Sequence, residues 1–381
     1  MTKNVSIALP KRPIVQKRLE QILERGSVNL GEGAQIDRLM LMLTRSCELR
    51  CSYCMVRTTE DGRGTILDGT EVATSNLRPP VGEMSQETMR KAVDFLMKSS
   101  RRKLELQFFG GEPTRRWDLI SEAMDYAWNH PRRQDRFLEF HLTTNGLGLT
   151  AERIAALEQR PVMILFSLDG SAKDHNHFRR PLLVSPEDSW SGMEGAIERL
   201  KGSKLKWFMN ATLPPAAADQ LEVRYQWARA HEIPELQLNY AMGMWWSREQ
   251  EAAYLRGLQR VLRHHASDPG GMRLYNWRSD AEPVMLSEDL IVDVDGTLYQ
   301  DGAIFLERSL PELKGSHRRG HLDDGFTDFD TKRWTLRELH DQALSCYAPD
   351  SKKWAIIEQN IMLGTAVDFV IHYVRKDLNL N

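Results

Sequence analysis

Between residues 38 and 265, short apolar segments alternate with segments of helical periodicity, and this alternation limits the fold more than any other feature of the chain. Apolar residues three and four positions apart indicate helices, whereas short apolar runs indicate buried strands. Six strand-and-helix units predict a parallel sheet with right-handed crossovers. The predicted strands are Arg38–Thr44, Leu104–Phe109, Phe137–Thr144, Val162–Leu168, Leu205–Leu213 and Glu235–Met242. The predicted helices are Gln86–Lys98, Asp118–Trp128, Ala151–Gln159, Met193–Leu200, Asp219–His231 and Arg248–His265.

The number of units restricts the architecture further. Six units are too few for a complete eight-unit barrel, so they fit a curved partial barrel or a doubly wound sheet. We predict an α/β fold, a partial (β/α)6 TIM-like barrel with a small α+β C-terminal domain. In that domain Leu286–Gly302 predicts a β-hairpin with Asp295-Gly296 as its turn. The predicted boundaries are 1–37 for an N-terminal helical extension, 38–268 for the barrel and 269–381 for the C-terminal domain.

Charge and hydropathy exclude several classes of protein. The formal net charge of −2 gives no general attraction to nucleic acid or to an anionic membrane. The segment Met1–Pro13 lacks the apolar core of a signal peptide, and no uninterrupted apolar run approaches the ~18 residues of a membrane span. We therefore expect a cytoplasmic protein with neither nucleic acid nor membrane as a partner.

Four cysteines in 381 residues are too few for a disulfide scaffold, and three of them are crowded together. Cys47, Cys51 and Cys54 have the spacing C-x3-C-x2-C, whereas Cys346 is far away in the sequence. A loop of this length can place three thiolates on one face of an iron–sulfur cubane and leave the fourth iron open. The alternative is a zinc site completed by His141 or Cys346, and the spacing favours iron–sulfur over zinc.

Further polar and glycine-rich segments directly follow the other predicted strands. Ligands of repeated βα folds bind at the carboxyl ends of the strands, so these segments should share one edge with the cysteines. They are Gly110-Gly111-Glu112-Pro113, Thr144-Asn145-Gly146, Ser167-Leu168-Asp169-Gly170, Asn210 with Thr212, and Asn239 with Tyr240.

The cysteine run, with Tyr53 just before its third cysteine, resembles the signature loop of the radical S-adenosylmethionine (SAM) superfamily. The segment Gly110-Gly111-Glu112-Pro113 is similar to the GGEP motif of that superfamily, and the resemblance covers roughly residues 38–245. It implies a [4Fe–4S] cluster on the three thiolates, with SAM chelating the open iron. It also implies that reduction of SAM yields a 5′-deoxyadenosyl radical, which abstracts hydrogen from a substrate.

The resemblance assigns cofactor contacts to the glycine motif. Gly110 and Gly111 have no Cβ, so their carbonyls can come close to the amino group of SAM. The Glu112 carboxylate would hold either the glycine turn or that amino group through charge-assisted hydrogen bonds. Tyr53 is expected to contact the cofactor as well.

A narrower resemblance concerns Ser167-Leu168-Asp169-Gly170 and the downstream segment His175–Arg180. They resemble the SLDG and HD…R pattern of radical SAM peptide-modifying enzymes, including anaerobic sulfatase-maturating enzymes, with Asn176 in place of the Asp. This implies that Ser167 bonds the ribose or carboxylate of SAM and that Arg179 pairs with its carboxylate. Asn145 matches the TNG of the same group and would lie near SAM. The resemblance assigns no catalytic residue.

The C-terminal region departs from this group, which usually ends in a cysteine-rich SPASM domain with auxiliary clusters. The segment Val292–Tyr299 resembles the SPASM hairpin, but Gln300-Asp301 stands where a cysteine is expected. Cys346 alone cannot hold a four-thiolate cluster. We therefore predict a SPASM-like domain without auxiliary clusters.

The function that follows from the resemblance is hydrogen abstraction by a radical SAM enzyme of oxidoreductase or isomerase type. Its expected substrate is a peptide or protein side chain, and the alternative is a small molecule such as an amino acid, sugar or nucleoside. An alternative of another class is a metal-binding scaffold or sensor without catalysis. A flavodoxin or ferredoxin is expected as electron donor by analogy alone.

Overall fold

The computed structural model describes residues 9–25, 36–54, 56, 63–65, 71–73, 82–181, 189–278, 286–287, 289–306, 310–325 and 334–380. Residues 1–8 and 26–35 of the predicted N-terminal extension and residue 288 of the predicted hairpin lie outside this set. The strands are β1 (Arg38–Thr44), β2 (Leu49–Cys51), β3 (Arg63–Thr65), β4 (Glu71–Ala73), β5 (Lys103–Gly110), β6 (Phe137–Thr144), β7 (Val162–Ser167), β8 (Arg179–Pro181), β9 (Lys206–Leu213), β10 (Glu235–Tyr240), β11 (Arg273–Leu274), β12 (Leu290–Val292), β13 (Thr297–Gln300) and β14 (Arg318–His321). The α-helices are α1 (Arg12–Arg25), α2 (Gln86–Leu96), α3 (Trp117–Trp128), α4 (Ala151–Leu157), α5 (Ala172–Phe178), α6 (Ser189–Lys201), α7 (Leu221–Ala230), α8 (Arg248–Ser267), α9 (Pro311–Ser316), α10 (Leu336–Ser345) and α11 (Lys352–Asp377).

Within the described residues, ten strands form one sheet in the order β11-β10-β9-β7-β6-β5-β1-β12-β13-β14. The strands from β1 to β11 in this sheet run parallel, and a helix follows each of the six predicted ones. Each predicted strand lies beside the preceding one without a reversal of order, which is the order of a barrel rather than of a doubly wound sheet. The predicted α/β partial barrel is therefore confirmed.

The strands present different residues to their two faces. On β7 and β9, Ile164, Phe166, Met209 and Ala211 are buried in the main core together with helix residues such as Met193. The alternate positions of these strands point to the inner, concave side, because successive side chains of a strand lie on opposite faces. Ser167 on β7, and Asn210 and Thr212 on β9, therefore line the inside of the barrel near its carboxyl edge, where they are half-buried.

The C-terminal segment extends the barrel sheet. Strands β12 and β13 form the predicted hairpin, and Gly296 at its turn has a φ of +90°, a conformation that favours glycine. Strand β12 pairs in parallel with β1, with Leu290 opposite Leu39. The division of the chain into three domains stays a prediction.

Helix α11 joins the N-terminal and C-terminal segments to the barrel. By length and composition it could cross a membrane, but 67% of its most apolar window is buried inside the protein. Asp368 on this helix forms an ion pair with Arg18 of α1 at 2.5 Å, and Val370 and Val374 belong to the main core. These are the contacts of a core helix.

The local features that differ from the sequence-based expectation include helix α6 and the strands β2 and β8. Helix α6 begins at Ser189 rather than Met193, because Trp190 is buried against Trp227 and this tertiary contact extends the helix. Strands β2 and β8 form a small antiparallel ribbon that the apolar pattern did not predict. Three-residue strands carry too little periodicity to be seen in a sequence.

Candidate active site

The three clustered cysteines lie on a loop that leaves the carboxyl end of β1. Hydrogen bonds within the loop begin its turn: the Ser46 amide donates to Thr44 Oγ1 at 3.0 Å, and the Leu49 amide donates to Cys47 Sγ at 3.3 Å. Cys51 lies on β2 of the small ribbon, directly opposite Arg179 on β8. The ribbon therefore ties the second cysteine to the segment that follows β7.

The glycine pair after β5 packs against the start of the cysteine loop. The Gly111 amide donates to the Thr44 carbonyl and the Glu112 amide to the Ser46 carbonyl, both at 2.8 Å. A Cβ on Gly110 would lie 2.3 Å from the Thr44 oxygen, and one on Gly111 would lie 2.4 Å from the Ser46 oxygen. Both positions require glycine because the opposing atoms belong to the backbone. The pair thus fixes the start of the cysteine loop.

Glu112 is buried and fully engaged with its neighbours. Its carboxylate accepts hydrogen bonds from the Thr114 amide at 3.0 Å, the Thr114 hydroxyl at 2.6 Å, the Thr144 hydroxyl at 2.7 Å and the Asn145 amide at 2.7 Å. Burial raises its pKa to about 7, and the nearby Glu48 adds to the shift. These bonds join the ends of β5 and β6. A bond from Glu112 to the amino group of SAM stays a prediction.

The bond to Glu112 places Asn145 beside the first cysteine. Its side-chain amide donates to Glu48 Oε1 at 3.2 Å and lies 3.9 Å from Cys47 Sγ. Ser167 ends β7 and stands opposite Asn210 in the sheet register. The carboxyl ends of four strands therefore meet around the cysteine loop, as the predicted barrel requires.

A buried network connects the other end of the loop to β7. The Tyr53 hydroxyl donates to Asp169 Oδ2 at 2.5 Å, and Arg179 Nε lies 3.1 Å from the same oxygen. Arg179 Nη1 donates to Cys51 Sγ at 4.0 Å. Burial by itself would lower the pKa of Arg179, but Asp169, Tyr53 and Cys51 together outweigh burial and raise that pKa. Sequence reasoning treated Asp169 only as a turn residue, and its position within SLDG was the available signal.

The chemistry of the three thiols fits a bound metal cluster. Burial raises the pKa of Cys47 well above its usual range and that of Cys51 to about 12, so without a cation these thiols keep their protons. The charge of Cys51 contributes to the raised pKa of Cys47, and that of Cys54 to the raised pKa of Cys51, so the three thiols lie near one another. A metal replaces such protons directly.

The alternative zinc ligands lie in other surroundings. His141 Nδ1 pairs with Glu105 Oε1 at 2.7 Å inside the barrel. Cys346 contacts the Ser316 hydroxyl at 3.2 Å and the Gln342 carbonyl at 3.1 Å. Among the described residues, the one trio of metal-ligating groups with all donor atoms within 4.8 Å of one another is Glu105, Glu139 and His141.

Residues 41–222 match the family described as the Radical SAM superfamily. The chain contains a radical SAM domain. The matched span includes the three clustered cysteines, the glycine motif and the segment from Ser167 to Arg179. Radical SAM domains work with a [4Fe–4S] cluster and SAM, so the predictions of family and cofactors are confirmed. The individual contacts to those cofactors stay predictions.

Curated relatives resemble parts of the chain. The radical SAM cyclopropyl synthase TigE of Paramaledivibacter caminithermalis is 24% identical over 145 residues, which are 38% of this chain and 29% of that protein. A GTP 3′,8-cyclase of Erythrobacter litoralis is 28% identical over 204 residues, 54% of this chain and 50% of that protein. The matched segments thus cover half or less of the length of these relatives.

Solved structures resemble the fold over most of its length. Native anaerobic sulfatase-maturating enzyme anSMEcpe with bound AdoMet aligns with a TM-score of 0.65 at 16% identity, over 89% of this chain and 99% of that one. Streptococcus suis SuiB bound to S-adenosylmethionine aligns with a TM-score of 0.50 at 12% identity, over 82% and 68%. These neighbours are SPASM-type radical SAM proteins, and at such identities the likeness concerns the fold.

Proposed function

We propose that this protein is a radical SAM enzyme whose cluster is held by Cys47, Cys51 and Cys54. The observation that carries the proposal is the meeting of the glycine pair, Asn145 and Arg179 around the thiols, since a structural metal would need a fixed loop but neither the Asn145 amide nor the Arg179 guanidinium beside it. When bound, the cluster and SAM supply a 5′-deoxyadenosyl radical that abstracts hydrogen. In a scaffold or sensor that only binds metal, the Asn145 amide and the Arg179 guanidinium would have no function at the metal.

The other site residues receive tasks that follow from their positions. Gly110 and Gly111 fix the cysteine loop and leave backbone carbonyls at the strand edge for the amino group of SAM. Glu112 holds Asn145 in place, whereas Asn145 and Ser167 present polar side chains toward the cofactor. Arg179 borders the loop from the β7 side and Tyr53 belongs to the loop itself, and there the Arg179 guanidinium can meet the SAM carboxylate. The residue that acts on the substrate is not assigned.

The substrate we favour is a peptide or protein side chain. Among the described strand positions that face inward near the carboxyl edge, the polar groups are uncharged: Thr143, Ser167, Asn210, Thr212 and Asn239. Asn239 Nδ2 donates to Asn210 Oδ1 at 2.8 Å, and this amide pair suits a neutral, hydrogen-bonding group such as a peptide amide. The anSMEcpe structure with bound Kp18Cys peptide, at a TM-score of 0.65, supports the same class through its fold.

A small-molecule substrate is the second candidate, because two of the curated relatives are named GTP 3′,8-cyclases. A nucleotide triphosphate needs several cationic side chains around its phosphates. The described inward positions near the carboxyl edge carry none, and the charged groups Arg38, Glu105 and Glu139 lie toward the opposite end of the strands. This arrangement favours an uncharged substrate group over a nucleotide.

Three further parts of the proposal rest on sequence and analogy. A flavodoxin or ferredoxin would supply the electron, and the cytoplasm is the proposed location. The barrel of residues 38–268 would work with a C-terminal domain that needs no auxiliary cluster. A net oxidation would then return its second electron to the SAM cluster, and a redox-neutral rearrangement would need no such acceptor.

Anaerobic reconstitution with iron and sulfide, followed by dithionite and SAM, tests the proposal. We expect about four irons per chain and formation of 5′-deoxyadenosine, both lost in Cys51→Ala and both retained in the matched control Cys346→Ala. Tightly bound zinc without SAM cleavage would leave only the scaffold. An iron count near eight per chain would show a further cluster and contradict the proposed C-terminal domain.

A further inference from the structure

Three buried side chains connect the cysteine loop to the end of β7 and to the ribbon. Tyr53 comes from the loop, Asp169 follows β7, and Arg179 lies on β8. Asp169 is 1% exposed and Arg179 is 6% exposed, so water screens their charges little. The two charges form an ion pair at 3.1 Å, and the cationic end of the pair faces Cys51 Sγ.

We infer that the Asp169–Arg179 pair sets the reduction potential of a cluster bound by these cysteines, with Arg179 raising the potential and Asp169 moderating that effect. Asp169 would thus be a positioning residue, since it acts by holding and partly neutralising the guanidinium. The inference rests on the proposed function, because it requires a cluster on Cys51. In this inference Arg179 affects the reduction potential of the cluster before SAM binds.

The direction of each effect follows from charge. Reduction adds one electron to the cluster and no proton, so it increases the negative charge beside Cys51. A buried cation next to that sulfur stabilises the added charge more than an exposed one would, because the surroundings are less polarisable than water. Hydrogen bonds and charges near cluster sulfurs are known to shift iron–sulfur potentials in this way.

Asp169 limits the effect through the geometry of its bonds. One of its oxygens accepts a hydrogen bond from the Tyr53 hydroxyl and lies 3.1 Å from Arg179 Nε, and this ion pair holds the guanidinium with its Nη1 atom toward Cys51. Its negative charge opposes that of Arg179 at the cluster. In Asp169→Asn the amide oxygen can still accept from Tyr53, whereas the opposing charge is gone. The two substitutions Arg179→Gln and Asp169→Asn should therefore shift the potential in opposite directions.

A redox titration of the reconstituted full-length protein, without SAM and followed by the EPR signal of the reduced cluster, tests the inference. We expect Arg179→Gln to disfavour reduction at least tenfold, a fall of about 59 mV for one electron. Asp169→Asn should shift the equilibrium in the opposite direction by a smaller factor. Arg180→Gln is the matched control, because Arg180 is the exposed next residue of the same strand, and it should leave the potential unchanged.

The outcomes separate the inference from the proposed function. Equal potentials in wild type and both variants, or shifts in one common direction, would overturn the inference, since a merely structural role moves both alike. If Arg179→Gln loses its iron, Arg179→Lys replaces it. Retention of the wild-type potential in this variant supports the inference, and a tenfold or greater loss of reduction with the positive charge kept overturns it. A wild-type protein that binds no cluster would overturn the proposed function and this inference together.

Discussion

The cysteine loop and the C-terminal hairpin lie on neighbouring strands of one sheet, yet they are stabilised in different ways. The loop places buried thiols together, and burial raises the pKa of Cys47 and Cys51. These thiols therefore keep their protons unless a metal replaces them. At the hairpin, Gln300 is fully buried at the position where a SPASM cysteine is expected. Its amide donates to the Trp334 carbonyl at 2.7 Å and accepts from the Trp334 amide at 2.8 Å.

The difference shows how the C-terminal region can fold without a cluster. The Trp334 ring carries the Arg319 guanidinium 3.2 Å above its centroid and lies 6.0 Å from the His317 ring. Burial lowers the pKa of His317 to about 4, so this ring stays neutral in the core at pH 7. Hydrogen bonds and ring contacts thus occupy this core, whereas the cysteine loop brings together thiols that suit a bound metal.

The largest expected effect is steric and falls on the cysteine loop. Gly111→Ala would place a Cβ 2.4 Å from the Ser46 carbonyl, and a backbone atom cannot move aside without displacing the loop. We expect loss of at least nine tenths of the bound iron after reconstitution. Gly315→Ala is the control from the C-terminal region, because a Cβ there meets nothing within 4 Å. Iron content measured for both variants tests this prediction, and equal iron contents would contradict the steric argument.

Removal of iron should change amide hydrogen exchange in the cysteine loop but not in the C-terminal hairpin. In the cysteine loop, the Ser52 amide donates to the Phe178 carbonyl at 2.8 Å and the Cys54 amide to the Cys51 carbonyl at 3.0 Å. We expect their hydrogen exchange to accelerate at least tenfold after chelation. The amides of β13 and β14 should exchange at an unchanged rate, since the contacts around Gln300 involve no metal. Acceleration in β13 as well would show that the hairpin also depends on the cluster.

Substitution of Gln300 tests the metal-free core. Gln300→Leu leaves the Trp334 amide and carbonyl without their buried partner, at an expected cost of about 2–4 kcal/mol in the free energy of unfolding. Gln159→Leu is the control, because Gln159 is exposed, and its cost should stay within ~0.5 kcal/mol. Denaturant unfolding measures both free energies. An unchanged free energy of unfolding in Gln300→Leu would mean that the hydrogen bonds of Gln300 do not stabilise this region.

The smallest effect concerns pH and Glu112. Because burial raises its pKa from the usual 4.5 to about 7, the folded state binds more protons than the unfolded state between these values. The contribution of Glu112 to stability is therefore greatest below pH 4.5 and decreases as the pH rises through 7, by at most about 1.4 kcal/mol per pH unit.

Thermal unfolding of the cluster-free protein between pH 5 and pH 8 checks this expectation. The stability of the wild type relative to Glu112→Gln should decrease with increasing pH, because the amide does not titrate. A constant difference across this range would mean that the four hydrogen bonds to Glu112 outweigh the effect of burial.

Much of the site was predictable because its motifs follow strands. The apolar runs gave the bounds of β1 and β6, and the order of a parallel barrel then placed Cys47, Gly110, Asn145 and Ser167 at one edge. The ribbon of β2 and β8 could not be predicted, since three residues carry no periodicity. The ion pair of Asp169 with Arg179 could not be predicted either, because the two residues are ten positions apart and a turn and a helix lie between them.

The sequence by itself determined the α/β class, the six repeated units and the crowding of three thiols, because these depend on local periodicity and spacing. Only the tertiary structure decided that Glu112 accepts hydrogen bonds from Asn145 and Thr144, and that Gln300 forms hydrogen bonds with Trp334. It also decided that Arg179 faces Cys51. These choices depend on which buried polar groups meet across distant segments, and a buried group takes whichever partner the packed chain brings within reach.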